Sequence, residues 1–123
     1  MKTTFLLFTL GFALPAETGE PAAEIPIQTV EGGEISLAHY KGKVTLIEFI
    51  LTSCSHCQAC SRELQAVNAE YAPRGVQIAP VAINDMAHMF IPDFVKAQGV
   101  KFPVGYVHRD TAAMFLKISP DGQ

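Results

Sequence analysis

Val44-Thr45-Leu46-Ile47-Glu48-Phe49-Ile50-Leu51-Thr52-Ser53-Cys54-Ser55-His56-Cys57 decides how this chain is read. The first eight residues are β-branched, aliphatic or aromatic, with Glu48 the one charge among them. Such a run reads as a buried parallel strand covered on both faces. Beyond Ser55 the period changes. Cys60, Leu64, Val67 and Tyr71 fall at i, i+4, i+7 and i+11, one face of a helix running to about Ala72, and Pro73-Arg74-Gly75 ends it. Cys54 therefore stands where a strand hands over to a helix.

That position suits thiol chemistry. A cysteine attacks as its thiolate, yet a free one has a pKa of about 8.5. At a helix start, unpaired backbone N–H groups and the helix dipole favour negative charge. Cys57 lies three residues on, within disulfide reach. Cys54 is the candidate nucleophile, and Cys57, the more buried thiol, resolves the mixed disulfide. His56 is a candidate for tuning the pair, since an imidazolium favours the Cys54 thiolate and makes the disulfide more oxidising. Glu48 is the candidate acid–base group, because a carboxyl in an apolar strand is costly unless it is used or paired. Cys60 reads as a small core hydrophobe. The competing reading is a soft-metal site built from Cys54, Cys57 and Cys60, but an iron–sulfur run needs a fourth cysteine and the chain has three. His39, His88 and His108 read as surface residues. No cofactor and no metal are expected.

Working outward, Ile25–Val30 and Glu34–Leu37 flank Glu31-Gly32-Gly33 as a hairpin. Val76–Ile83 is a second strand, weakened by Pro80, with Asn84-Asp85 as its exit. A helix over about Ile91–Gln98 carries Pro92 in its first turn and Gly99 beyond its end. Phe102–Val107 is a short strand, and Thr111–Leu116 forms one or two helical turns. Strands alternating with helices give an α/β layer structure with a mixed sheet. The chain has 123 residues, 49% hydrophobic and 17% charged, with net charge −3. This is one domain with ample core and no basic surplus for nucleic acid.

The N-terminus stands apart. Phe5–Leu14 is apolar apart from Thr9 and Gly11. It is too short for a membrane span, which takes about 20 residues, and fits the apolar part of an export signal. Residues 1–24 are thus expected to be a signal-like segment and tether, residues 25–123 the domain, and the protein exported or periplasmic, with no stable membrane span.

Gly-Gly-Glu-Ile-Ser-Leu, then Lys-Gly-Lys-Val, Leu-Ile-Glu-Phe and Cys-Ser-His-Cys, with Phe102-Pro103-Val104 downstream, resemble the exported thioredoxin-like proteins of the TlpA and redoxin group. The resemblance runs from about Ile25 to Ile118. It implies a thioredoxin-like three-layer sandwich and a thiol–disulfide oxidoreductase. Cys54 would be the nucleophile, Cys57 the resolving thiol and Glu48 the buried acid. Its partners would be protein thiols or disulfides and a separate redox partner. Ser53 replaces the tryptophan usual before the first cysteine. The peroxidase branch's Pro-x-x-x-Thr-x-x-Cys pattern is not met, since Thr52 lies two residues before Cys54, so a peroxiredoxin-like antioxidant is a weaker reading. The family's cis-proline and last β-β-α portion are expected to be missing, because Pro120 is followed by the turn Asp121-Gly122-Gln123. A copper-binding thioredoxin-like module and an inactive fragment complete the set of readings open to this sequence.

Overall fold

The computed structural model describes Gly19 and residues 21–118. The apolar run Phe5–Leu14 and the Pro120 turn lie outside the described residues. The described elements are β1 (Ile27–Gln28), β2 (Glu34–Ile35), β3 (Val44–Ile50), α1 (Ser55–Tyr71), β4 (Val76–Ala82), α2 (Ala87–Gln98), β5 (Gly105–Tyr106) and α3 (Arg109–Phe115), with 3-10 turns at Leu37–Tyr40 and Ala72–Arg74. The five strands form one sheet in the order β2-β1-β5-β4-β3. β3, β4 and β5 run parallel, and β1 is antiparallel to both β2 and β5.

Each face of the sheet carries its own core. Ile50, Ile78 and Ala82 point to one face, where they meet Ala87, Ile91 and Phe94 of α2 and Cys57 and Leu64 of α1. Val81, Ile27, Ile47 and Phe49 point to the other and meet Ala112 and Phe115 of α3. The rings of Phe49 and Phe115 lie 6.0 Å apart. This is the expected three-layer sandwich of a thioredoxin-like fold.

Several expectations shift in detail. β3 is not covered on both faces along its length. It is an edge strand, Val44 is 71% exposed, and only Ile50 of its residues is buried. The buried interior strand is β4, between β5 and β3, with Ile78 and Val81 fully enclosed. Pro80 is tolerated there for a geometric reason. The Ile83 N–H bonds Ile50 O, so odd-numbered residues of β4 direct their N–H to β3 and Pro80 directs its nitrogen toward β5. The ladder with β5 covers only Val81 and Ala82, so the missing donor forfeits no strand pairing. α2 begins one turn earlier than expected, at Ala87, which places Pro92 inside it. Ala87, Ile91 and Phe94 form a continuous buried stripe at i, i+4 and i+7, and burying it outweighs the one helical bond proline gives up. At Gly105 a Cβ would stand 2.2 Å from Ile27 Cγ2 and 2.9 Å from Gln28 O, so β1 can lie against β5 only because that residue has no side chain.

Candidate active site at the start of α1

The strand-to-helix junction is held by a chain of polar contacts. Asn84, just past β4, accepts from the Thr52 N–H at 3.0 Å and from the Thr52 hydroxyl at 3.2 Å. Gln58 Nε2 donates to Thr52 O at 2.9 Å. The Cys54 N–H donates to Leu51 O at 3.0 Å. These bonds fix the turn and deliver Cys54 as the N-cap of α1, with extended backbone at φ −79° and ψ 119°. Its Sγ accepts the Cys57 N–H at 3.4 Å. A thiolate there takes the place of the Ser, Asp or Asn oxygen that ordinarily caps a helix.

All three cysteines are free thiols. The Cys57 backbone N–H beside Cys54 holds that thiol below its ordinary range, helped by the Cys57 thiol and, less, by the His56 N–H. Burial pushes Cys57 the other way, and the neighbouring charges of Cys54 and Glu48 add to it. Both sulfurs are half-buried, but Cys57 is the one that packs against the core beside Ile50 and Phe94. The helix start thus splits two chemically identical groups into an outer, easily ionised sulfur and an inner, protonated one.

Glu48 lies on the β3 face that α1 covers, opposite Pro80 in the ladder. Its Oε2 is sealed from solvent with no hydrogen-bond partner. Its carboxylate is the leading cause that raises the Cys60 thiol, and its charge also acts on Cys57. His56 is exposed on the first turn, and what it brings to Cys54 is its backbone N–H rather than its ring.

Cys60 is a correction. It is exposed, not core. The buried face of α1 runs through Cys57, Ser61 and Leu64, one residue on from the face marked by Cys60, Val67 and Tyr71, and Val67 and Tyr71 are each 38% exposed. The inward positions include polar residues that hydrophobic periodicity cannot register. Ser61 is fully enclosed, and Gln65 accepts the Lys101 N–H at 2.7 Å. Among the described residues no group of three or more His, Cys, Asp or Glu side chains converges as a metal site, so the copper-module reading has no geometric support. His39, His88 and His108 are exposed, as expected. Thr52 and Asn84 are site residues that sequence reasoning misses. Their signal is present, a hydroxyl and an amide at the ends of two adjacent strands, but only pairing in register brings them together.

Comparison with known proteins agrees with this geometry. The chain is 29% identical over 89 residues to the thiol-disulfide oxidoreductase ResA of Halalkalibacterium halodurans, an alignment spanning 72% of this chain and 50% of that one. The chain thus spans about half the length of the curated relatives it matches. Among solved structures, the putative thiol:disulfide interchange protein DsbE of Chlorobium tepidum superposes with a TM-score of 0.72 at 17% identity, covering 82% of this chain and 70% of that one. A secreted Mycobacterium tuberculosis disulfide oxidoreductase does so at 0.63 and 18% identity, covering 77% and 67%. At these identities the two structures speak for the fold alone. The model of the AhpC/TSA family matches residues 18–119, most of the chain and all of the site, and the chain belongs to that family.

Proposed function

We propose that the chain is a thiol–disulfide oxidoreductase that exchanges disulfides with protein thiols through Cys54 and Cys57. The observation that carries this is the Cys54 sulfur at the N-cap of α1, accepting the Cys57 N–H at 3.4 Å. In the reducing direction, the Cys54 thiolate attacks a substrate disulfide, forming one S–S bond and releasing one substrate thiolate. Cys57 then attacks Cys54 Sγ, expelling the second substrate thiolate and leaving the Cys54–Cys57 disulfide. Cys57 must lose its proton for this step, and Glu48 is read as the carboxylate that receives it, a reading supported by its charge acting on the Cys57 thiol. A separate thiol partner returns the disulfide to the dithiol. The Thr52 hydroxyl donates to Asn84, which gives a peroxide-binding role for that residue no support. Export is proposed from the pattern of Lys2 followed by the apolar run Phe5–Leu14.

The test is the pH dependence of alkylation with iodoacetamide, followed at Cys54 in the parent chain and in a Cys57→Ala, Cys60→Ala background. Half-maximal reaction of Cys54 in the parent is expected clearly below the free-thiol range, and Cys57→Ala should accumulate a mixed disulfide with insulin. An unshifted Cys54 together with no trapped mixed disulfide refutes the function.

A further inference from the structure

Cys60 is the thiol that the exchange chemistry leaves over, and it stands in a row with the two that carry it. Cys54 caps α1, and Cys57 and Cys60 are the third and sixth residues of that helix. Three residues advance a helix by about 4.5 Å and turn it about 60° short of a full turn. The cysteines therefore follow one another along a single shallow stripe, with Cys57 in the middle. Cys57 is half-buried and Cys60 is exposed. Glu48 of β3 acts on both of these thiols, and its Oε2 is enclosed without a hydrogen-bond partner. Resting on the disulfide-exchange reading, we propose that Cys60 attacks the Cys54–Cys57 disulfide at Cys57, moving the disulfide one turn along α1 and leaving Cys54 a nucleophile without its resolving partner.

The step balances within the chain. A substrate disulfide first oxidises Cys54 and Cys57. The Cys60 thiolate then bonds Cys57 Sγ, the Cys54–Cys57 bond breaks, and Cys54 leaves as its thiolate. Cys60 is oxidised, Cys54 is reduced, and the Cys60 proton passes to solvent. Direction favours this course, because displacement at a disulfide sulfur runs in line with the bond that breaks. Cys60 approaches Cys57 from the C-terminal side, and Cys54 departs on the N-terminal side. Reach allows it. Cα atoms three residues apart in a helix lie about 5 Å from each other, within disulfide range. Their Cβ atoms, about 5–6 Å apart, must draw closer, and tightening toward a 3-10 helix eclipses side chains at i and i+3. The leaving group has a prepared seat, since Cys54 Sγ accepts the Cys57 N–H at 3.4 Å. The strain makes the moved disulfide easily reduced, so the move is reversible. While it lasts, a substrate caught on Cys54 is released by another thiol of that substrate. The moved form therefore rearranges substrate disulfides, whereas the dithiol reduces them.

The groups facing Cys60 are Glu48 from β3 and Cys57 and Glu63 from α1, and all of them hold its proton in place. Cys54 is held the other way, below its ordinary range. The move exchanges a protonated Cys60 for an ionised Cys54, so it is favoured as pH rises between the two ranges. The test oxidises the full chain with one equivalent of diamide and quenches samples in acid. The remaining thiol is labelled with N-ethylmaleimide, and fragmenting the tryptic peptide that spans Val44 to Arg62 locates the label. At mildly acidic pH the label is expected on Cys60. At mildly alkaline pH it should pass to Cys54 in about a tenth of the chains or more, the ratio rising up to about tenfold per pH unit. The rate should be unchanged by dilution, and Glu48→Gln should raise it. Cys54→Ser should close the Cys57–Cys60 bond directly. Cys60→Ser should keep exchange with hydroxyethyl disulfide and lose rearrangement of scrambled ribonuclease. A label confined to Cys60 at every pH, a move that slows on dilution, or rearrangement that persists in Cys60→Ser overturns this proposal alone. If no Cys54–Cys57 disulfide forms and hydroxyethyl disulfide is not exchanged, the oxidoreductase reading falls and takes the proposal with it.

Discussion

Asn84→Ala is the perturbation that most directly questions how the site is built. One side-chain oxygen of Asn84 accepts two bonds from Thr52, at 3.0 and 3.2 Å, and Thr52 is 7% exposed. Removing that oxygen leaves a largely buried backbone N–H with no acceptor, at a cost of about 1–3 kcal/mol. The hydroxyl can rotate toward another acceptor and adds less, so a total of about 2–3 kcal/mol is expected. With a urea slope of about 1–3 kcal/mol per molar, the unfolding midpoint should fall by roughly 1 M. The assay is urea unfolding followed by far-UV circular dichroism, with Cys54 alkylation measured in parallel. Alkylation should slow, because the turn that presents the sulfur to the Cys57 N–H is loosened. Asn84→Asp keeps the accepting oxygens and should recover most of the stability. If Asn84→Ala costs less than about 0.5 kcal/mol, or if Asn84→Asp is as unstable as Asn84→Ala, the account of Thr52 and Asn84 as a clamp on the site is wrong.

Two further outcomes follow from individual contacts. Gly105→Ala should destabilise by about 1–3 kcal/mol or more, because its Cβ would collide with Ile27 and with the Gln28 carbonyl, which is backbone and cannot yield. Amide hydrogen exchange should show faster opening of β1 and β2 with β3 and β4 little changed. Glu48→Gln should speed alkylation of Cys60 at a fixed mildly alkaline pH. The carboxylate is the leading cause of the raised Cys60 thiol, so neutralising it brings that thiol down and increases the thiolate present.

Much of this fold is legible in the sequence, and the failures share a cause. The Cys54–Cys57 spacing, the strand before it and the helix after it are local signals, and α1 falls on Ser55–Tyr71 close to the expected limits. What the sequence hides depends on which strand becomes a neighbour of which. A β-branched run announces a strand but not its place in the sheet, so β3 reads as covered on both faces and is an edge. Pro80 reads as disruptive and is harmless because of the direction its nitrogen faces. Cys60 reads as inward because apolar periodicity locates a helix face by its hydrophobes, whereas α1 turns Ser61 and Gln65 inward and binds the latter to a loop amide. The Thr52–Asn84 pair, 32 residues apart in the chain, is likewise a product of parallel register.

The same distinction bears on how the Cys54 thiolate is stabilised. In the sequence, an imidazolium at His56 is the attractive agent, since charge acts through space and needs no particular contact. The geometry puts the leading donor in the Cys57 backbone N–H instead, followed by the Cys57 thiol and then the His56 N–H, with the His56 ring exposed. Two unit charges at 4 Å in bulk water interact by only about 1 kcal/mol, and salt screens even that. His56→Gln retains the backbone N–H and discards the ring. It should therefore change the rate of Cys54 alkylation at neutral pH by less than about fivefold, with little dependence on added salt. A loss of tenfold or more at low salt, shrinking as salt is added, would return the leading role to the ring. The expected small effect means that any residue with a free backbone N–H at position 56 supports the nucleophile. The identity of His56 then matters to what approaches the dithiol rather than to its ionisation.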